Sequence, residues 1–366
     1  MRSHLTTALP LLAATPLASA QINKWAQAAG LMYFGSATDT PGQRERAGLE
    51  TTYPQYDAIL ADNDMFGSTT PTNGQKWLFT EPEQGVFNFT EGDITADLAA
   101  EQGKSLRCHA LVWHSQLAPW VETTEWTPET LTEAITLHVN TIAEHYKGRC
   151  YAWDVVNEAL NEDGTWRESV FYEVLGEDYI KLAFRLAAEA DPEAKLYYND
   201  YNIERPGGKV NGTLRIVEML QADGIRIDGV GMQAHFVAGD SPTLDEQIEV
   251  IESYAALGVE VALTELDVRL STLPPTEETL ALQKEDYKNA VGACTQVDAC
   301  IGITMWDFYD PFSWVPYTFE GEGAALLWFE DFTVHPAYYG VLAALKNATG
   351  LCASKAKRGT AQLFNA

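Results

Sequence analysis

YAWDVVNE, residues 151–158, is the stretch that decides the fold, because an apolar run rich in β-branched residues passes directly into an asparagine and a glutamate. VALTELD, residues 261–267, has the same plan and also ends in acidic residues. Short apolar runs of this kind are typical of strands buried on both faces of a parallel sheet. We predict eight such strands, at residues 33–37, 65–69, 105–113, 152–157, 195–199, 229–234, 260–266 and 302–307.

Longer amphipathic segments lie between these strands. Apolar residues recur at helical spacing over residues 130–146, 178–190, 212–222, 245–257 and 278–294. Two of these segments follow clear capping sequences, Thr127-Pro128 and Ser241-Pro242. Strands that alternate with helices predict an α/β fold with a parallel sheet. No glycine-rich phosphate-binding sequence follows the first strand, so we predict a closed (β/α)8 TIM barrel in a single domain rather than a doubly wound sheet.

The start of the chain has the pattern of a secretory signal peptide. Arg2 precedes a short apolar run, and Ala18-Ser19-Ala20 fits the small-x-small cleavage rule. We predict a signal peptide at residues 1–20, the barrel at residues 21–351, and a short, basic, loosely ordered tail at residues 352–366. The expected location is extracellular. Asn-x-Thr sequons agree with that location, at Asn88, Asn211 and Asn347.

The charge of the chain limits its partners. The formal net charge is −28, and removal of the signal peptide with its single Arg makes it −29. A surface this acidic repels nucleic acid and anionic membranes, so we expect neither as a partner. It places no penalty on a neutral polysaccharide. We expect a soluble monomer.

The five cysteines leave at least one thiol unpaired. Cys294 and Cys300 close a short loop before a predicted strand, and we expect a disulfide between them. Cys150 with Cys352 is a second candidate pair. Cys108 lies inside an apolar strand, and we expect it to be a buried free thiol.

Polar side chains are concentrated at the predicted strand ends, where barrels of this kind carry their active sites. Glu158 and Glu265 each end a nearly all-apolar strand, and two opposed carboxylates are what cleavage of a glycosidic bond requires. Trp113, Trp306 and Trp314 lie at the same predicted rim, where indole rings stack on the apolar faces of sugars. These features predict a glycan-cleaving cleft. No cofactor is expected, and no metal, because the His and Cys spacing fits no metal site.

Several motifs along the chain resemble, in the same order, those of glycoside hydrolase family 10. They are NGQKW (73–77), HALVWH (109–114), WDVVNE (153–158), YYNDYN (197–202), GVGMQAH (229–235), TELDVR (264–269) and GITMWDFYDPFSW (302–314). The resemblance covers most of the chain. It implies a retaining endo-β-1,4-xylanase on a (β/α)8 barrel, with xylan or its oligosaccharides as substrate.

The resemblance also implies a role for each matching residue. Glu158 would be the acid/base and Glu265 the nucleophile, with His235 and Asp267 orienting the nucleophile. Asn157 would hold the 2-hydroxyl of the sugar at the cleavage point. The other substrate-binding residues it implies are Lys76, His109, Trp113, Gln233, Trp306 and Trp314 around that sugar, Asn73 one sugar further out, and Tyr201 and Asn202 on the leaving-group side.

The chain departs from the family pattern on the side that would hold the non-reducing sugars. Thr72 stands where the family motif has a glutamate, and Asp307 follows Trp306 where glycine is frequent. The cleavage residues are intact, but an altered donor side leaves a second substrate class open. That alternative is removal of an oligosaccharide from a steroidal saponin such as tomatine. The alternative from another class is a catalytically silent glycan- or protein-binding barrel.

Overall fold

The computed structural model describes residues 21–39 and 53–363, with side chains described as far as residue 350. The expected signal peptide lies outside the described residues. The strands are β1 Tyr33–Thr38, β2 Ser68–Pro71, β3 Ser105–Trp113, β4 Cys150–Asn157, β5 Lys195–Asp200, β6 Gly229–Met232, β7 His235–Val237, β8 Glu260–Arg269 and β9 Cys300–Met305.

These strands form a closed parallel barrel. The order is β6-β5-β4-β3-β2-β1-β9-β8, and β6 also pairs with β8, which joins the two ends of the sheet. The short strand β7 lies outside this ring and pairs with the far end of β8. The predicted (β/α)8 barrel is confirmed.

Helices follow the strands around the outside. They are α1 Ile22–Ala28, α2 Pro54–Ala61, α3 Trp77–Thr80, α4 Thr90–Gln102, α5 Pro119–Thr123, α6 Pro128–His145, α7 Val170–Leu175, α8 Asp178–Ala190, α9 Gly208–Ala222, α10 Leu244–Ala255, α11 Glu277–Cys294, α12 Val315–Thr318 and α13 Pro336–Leu363. None of the helices in the described part of the chain has the length and apolar character needed to span a bilayer. The backbone of α13 stays helical through residues 352–363, where the sequence predicted a loose tail.

Several element bounds differ from the prediction by a few residues, among them β2 and β9, and two of the local differences have a clear cause. The strand expected at residues 229–234 ends at Met232, because Ala234 adopts a left-handed backbone with φ of 60° that turns the chain out of the ring. Helix α10 is capped by Thr243 and not by Ser241-Pro242. Thr243 Oγ1 accepts from the backbone N–H of Glu246 at 3.3 Å, and the Glu246 carboxylate accepts from the Thr243 N–H at 2.8 Å, a capping box.

The cysteine prediction was half right. Cys294 and Cys300 are bonded as expected, with a Cα–Cα distance of 5.1 Å. Cys108 is not a free thiol, because it is bonded to Cys150 with a Cα–Cα distance of 5.7 Å. The two residues lie on the neighbouring strands β3 and β4, where the register pairs Leu106 with Cys150. The expected pairing of Cys150 with Cys352 is therefore wrong.

The longer disulfide loop is expected to contribute more stability than the shorter one. Cys108–Cys150 spans a sequence separation of 42 and Cys294–Cys300 one of 6, for which loop entropy gives about 4 and about 2 kcal/mol. Replacing both cysteines of the first pair with alanine should therefore lower the free energy of unfolding by about 2 kcal/mol more than the same change in the second pair. Urea denaturation without reductant measures the difference. All four cysteines are buried, so cavity effects are matched, and equal losses would contradict the expectation.

Candidate active site

The carboxyl ends of the barrel strands open into one cleft of about 1440 Å³. The side chains predicted from the sequence meet there despite their separation along the chain. The cleft is lined by Asn73, Lys76, His109, Trp113, Asn157, Glu158, Tyr201, Asn202, Gln233, His235, Glu265, Trp306 and Trp314. Asp267 lies behind His235 and is fully buried.

Glu265 lies within β8 and is held from both sides. Its Oε1 accepts a hydrogen bond from Asn199 Nδ2 at 2.8 Å, and its Oε2 lies 3.2 Å from His235 Nε2. His235 Nδ1 lies 2.9 Å from Asp267 Oδ2, which also accepts from Trp314 Nε1 at 2.8 Å. The carboxylate is 5 % exposed, so its position is set by these contacts and not by solvent.

The electrostatics of this group keep Glu265 ionised. Burial acts to raise the pKa of Glu265, but the hydrogen bond from His235, the charges of His109 and His235 and the Asn199 amide lower it to about 2. Burial likewise acts to lower the pKa of His235, but the charge and hydrogen bond of Asp267, with the nearby Glu265, raise it to about 10. At neutral pH the pair is therefore a carboxylate beside an imidazolium.

Glu158 follows β4 directly and reaches into the cleft from that strand, whereas Glu265 reaches into it from β8. Its backbone is left-handed, with φ of 57°. Two hydrogen bonds of 2.9 Å fix this backbone: the Glu158 N–H donates to the backbone carbonyl of Asn199, and the Glu158 backbone carbonyl accepts from Arg167 Nε. Gln233 Nε2 donates to Glu158 Oε1 at 3.0 Å. The side chain remains half-buried, so it is open to a ligand.

Amide side chains bridge the two glutamates. Asn199 Nδ2 donates to both Glu265 Oε1 and Asn157 Oδ1, each at 2.8 Å. Asn157 lies beside Glu158, with its Nδ2 3.3 Å from Glu158 Oε1. The opposite orientation of this amide would accept from the Trp113 indole N–H at 3.2 Å, but it would turn the Asn157 nitrogen toward Asn199 Nδ2 and lose the contacts with Asn199 Nδ2 and Glu158 Oε1. The two carboxylates thus belong to one hydrogen-bonded network.

A buried lysine closes the floor of the cleft on the side of β2. Lys76 Nζ donates to Gln116 Oε1 at 2.7 Å and to Asn73 Oδ1 at 3.1 Å. The same ammonium lies 4.8 Å from the centre of the Trp113 ring. Burial lowers the pKa of Lys76, against the raising charges of Glu265, Asp39 and Glu158.

The other end of the cleft is built around Tyr201 and Asn202. The Tyr201 hydroxyl accepts from Arg167 Nη2 at 2.7 Å, and Lys209 Nζ lies 3.4 Å from the centre of its ring. Asn202 Nδ2 donates to Glu162 Oε2 at 3.1 Å. These contacts fix a polar wall beyond Glu158.

Sequence reasoning assigned no role to three residues that hold the site together. Asn199 joins the two glutamates. Gln116 and Asn73 both accept hydrogen bonds from Lys76 Nζ. Asp154 accepts from His109 Nδ1 at 2.9 Å. Asn199 and Asp154 could have been found, because both lie in strands whose other polar residues were singled out. Gln116 follows β3 in a loop that carries no such signal.

Comparison with known proteins decides the family. The model of glycosyl hydrolase family 10 matches residues 21–344. An endo-1,4-β-xylanase A of Humicola insolens is 65 % identical over 94 % of this chain and 96 % of its own. The chain belongs to glycosyl hydrolase family 10. An endo-1,4-β-xylanase D of Talaromyces funiculosus is 50 % identical over 93 % of this chain and 81 % of its own.

Solved structures of the family agree with the fold. An endo-1,4-β-xylanase of Penicillium canescens matches with a TM-score of 0.85 and 44 % identity, over 89 % of this chain and 98 % of its own. A family 10 xylanase of Bispora sp. MEY-1, solved with xylobiose, matches with a TM-score of 0.83 and 43 % identity, over 88 % and 99 %. The predicted enzyme class, a retaining endo-1,4-β-xylanase of this family, is confirmed. The saponin and binding-barrel alternatives gain no support.

Proposed function

We propose that this family 10 enzyme cleaves xylan outside the cell, with Glu265 as the nucleophile and Glu158 as the acid/base. The observation that carries these roles is the difference between the two carboxylates. Glu265 is buried and held ionised by His235 and Asn199. The Glu158 carboxylate is half-buried and accepts hydrogen bonds from the neutral amides of Gln233 and Asn157, whereas Glu265 faces the imidazole of His235.

The first chemical step uses both carboxylates at once. A Glu265 oxygen attacks the anomeric carbon and forms an ester-like bond to the sugar, while the bond from that carbon to the leaving oxygen breaks. Glu158 gives its proton to the leaving oxygen, and the shortened chain departs as an alcohol. Asn157 and Gln233 lie within hydrogen-bond reach of Glu158 and supply donors for the sugar hydroxyls at the cleavage point.

The second step reverses these roles. Glu158, now ionised, takes a proton from water, and the water oxygen displaces Glu265 from the anomeric carbon. Two inversions restore the β configuration. The imidazolium of His235, beside Asp267, stabilises Glu265 as it leaves with its negative charge.

The relatives and the surface support the proposed substrate and location. The Bispora enzyme was solved with xylobiose, and the cleft here carries three tryptophans suited to neutral sugars, Trp113, Trp306 and Trp314. Secretion is supported by the signal-like start and by the sequon residues Asn88, Asn211 and Asn347, all of which are exposed. A monomer is the proposed state.

The proposed mechanism is tested by following the anomer released from linear xylo-oligosaccharides with proton NMR. We expect the β anomer to form first and to convert slowly to the equilibrium mixture. Initial release of the α anomer would contradict the double displacement, because a single displacement by water inverts the configuration.

Removing the imidazolium beside the nucleophile is expected to weaken catalysis and move its pH dependence. In His235→Asn the pKa of Glu265 rises from about 2, because a main cause of its lowering is gone. Activity needs ionised Glu265, so the acid limb of the kcat/KM profile moves to higher pH. At neutral pH we expect a loss of about 10- to 100-fold, the size of a lost charge-assisted hydrogen bond.

The matched control is His145→Asn, which changes a partly exposed histidine paired with Asp93. It should leave the profile in place. An unchanged acid limb in His235→Asn would mean that His235 does not control the ionisation of Glu265.

A further inference from the structure

Asp39 is a carboxylate of the cleft that the mechanism above does not use. Asp39 directly follows β1, and the register that pairs Thr38 with Pro71 places it beside the end of β2. Its Oδ1 accepts from the Asn73 backbone N–H at 3.0 Å, and its Oδ2 accepts from Asn73 Nδ2 at 2.6 Å. Asp39, Thr72 and Asn73 all line the cleft.

The contacts of Asp39 leave it able to accept further hydrogen bonds. An ionised carboxylate has about four lone-pair positions, and the two contacts with Asn73 use two of them. The side chain is partly exposed into the cleft. Sugar hydroxyls are donors, and a carboxylate accepts from two neighbouring hydroxyls more strongly than an amide or hydroxyl oxygen does.

The neighbouring carboxylate, Asp307, is differently engaged. Its Oδ1 accepts from the backbone N–H groups of Phe308 at 2.6 Å and Tyr309 at 3.1 Å, and its Oδ2 accepts from the Tyr56 hydroxyl at 3.1 Å. It is 6 % exposed. These contacts make Asp307 the anchor of the turn after β9, and Thr72 offers only a short hydroxyl. Asp39 is the described acidic side chain at this end of the cleft that is free to face a ligand.

Asp39 is also tied to the cleavage point. The Asn73 amide that donates to Asp39 accepts from Lys76 Nζ at 3.1 Å and from Gln116 Nε2 at 3.0 Å. A sugar held by Asp39 therefore lies against the same network as the sugar held over Lys76. One side chain, Asn73, links Asp39 to Lys76, so Asp39 is placed to meet the sugar next to the one over Lys76.

We propose that Asp39 is the residue that selects an oligosaccharide over a single sugar, by accepting hydrogen bonds from the hydroxyls of the second sugar on the non-reducing side. The proposal rests on the function proposed above, in which Glu158 protonates the leaving oxygen. The leaving group then lies on the side of Tyr201 and Asn202, and the non-reducing sugars lie at the opposite end of the cleft, beyond Asn73. The acidic group of this subsite then lies just after β1, at Asp39, and not at residue 72 just after β2.

The test compares two chromogenic substrates that differ only in this sugar, 4-nitrophenyl β-xyloside and 4-nitrophenyl β-xylobioside. Asp39→Asn keeps the shape and removes the charge. We expect its kcat/KM to fall about 10- to 100-fold on the xylobioside and less than about threefold on the xyloside, where the subsite is empty. Asp39→Ala should behave in the same way, and adding Thr72→Glu to it should restore part of the preference for the xylobioside.

The control is Asp97→Asn, the same change at an exposed aspartate on the outer helix α4. Asp97 forms an ion pair with Arg149. This substitution should leave the ratio between the two substrates unchanged. Equal losses on both substrates in Asp39→Asn would overturn the proposal, because Asp39 would then act only by holding Asn73. An unchanged ratio in active Asp39→Asn would also overturn it. Failure of the unaltered enzyme on both substrates would instead contradict the proposed function.

Discussion

Glu265→Gln is expected to lower kcat on xylan by roughly four to six orders of magnitude while the barrel stays folded. Glutamine cannot form the bond to the anomeric carbon, so the first displacement has no nucleophile. The replacement side chain has nearly the same shape, and its carbonyl oxygen can still accept from Asn199 Nδ2, now 2.8 Å from Glu265 Oε1.

The surroundings can adjust to the lost charge. The new amide N–H faces His235 Nε2, which becomes an acceptor once the imidazolium loses that proton and keeps Nδ1–H for Asp267. The pKa of His235 is raised to about 10 by Asp267 first and by Glu265 after it, so losing Glu265 lowers this pKa. We therefore expect the melting temperature to change by only a few degrees.

The measurement is reducing-sugar release from xylan, with thermal unfolding as the check on folding. The control is Glu249→Gln, the same change at an exposed glutamate on α10, which should keep full activity. Ordinary turnover by Glu265→Gln would remove Glu265 from the mechanism.

A small anion separates the role of Glu265 from a general loss of function. In Glu265→Ala, azide can enter the space left by the carboxylate and displace the phenolate of an aryl β-xylobioside. That single displacement inverts the centre, so the product is an α-glycosyl azide. A β-glycosyl azide from this variant would contradict the assignment of Glu265 as the nucleophile.

The barrel and the position of Glu158 and Glu265 in one cleft could be predicted from the sequence because both depend on local patterns. Apolar runs with polar ends at 152–157 and 260–266 fixed the strands, and the rule that barrel chemistry lies at strand carboxyl ends placed Glu158 and Glu265 on one rim. Strand β3, Ser105–Trp113, and helix α8, Asp178–Ala190, have the predicted bounds. Tertiary packing reinforces the local preference in both elements.

The remaining features depend on register between distant strands. The Cys108–Cys150 bond requires β3 and β4 to align at that point, which spacing alone cannot reveal. Asp39 follows a strand in ordinary polar sequence, and its partner Asn73 lies 34 residues further along. The bridge through Asn199 exists only once β4, β5 and β8 meet around the closed barrel.

Glu158→Ala is expected to have the second large effect, and its size should depend on the leaving group. On xylan we expect kcat/KM to fall by about 10²- to 10⁴-fold, the usual contribution of a general acid. An acidic phenol needs no proton to depart, so formation of the glycosyl-enzyme from 2,4-dinitrophenyl β-xylobioside should be little changed. Hydrolysis of this glycosyl-enzyme needs Glu158 as a base, so that step should become slow.

The rates of formation and hydrolysis of the glycosyl-enzyme together test whether Glu158 acts in proton transfer. A fast burst of dinitrophenolate followed by slow turnover is expected in stopped-flow traces, and the accumulated glycosyl-enzyme should be visible by mass spectrometry of the intact protein. Glu158 is half-buried and its carboxylate is contacted by the amides of Gln233 and Asn157, so alanine leaves a gap open to the cleft without exposing a buried partner charge.

Azide should accelerate turnover of Glu158→Ala, and its product should have the opposite anomeric configuration to the product from Glu265→Ala. It attacks the glycosyl-enzyme already formed on Glu265 from the side that Glu158 faces, so two inversions give a β-glycosyl azide. The same anion thus yields an α product when Glu265 is missing and a β product when Glu158 is missing. The same product from both variants would show that the two carboxylates do not stand on opposite faces of the sugar, and the double displacement would fail with them.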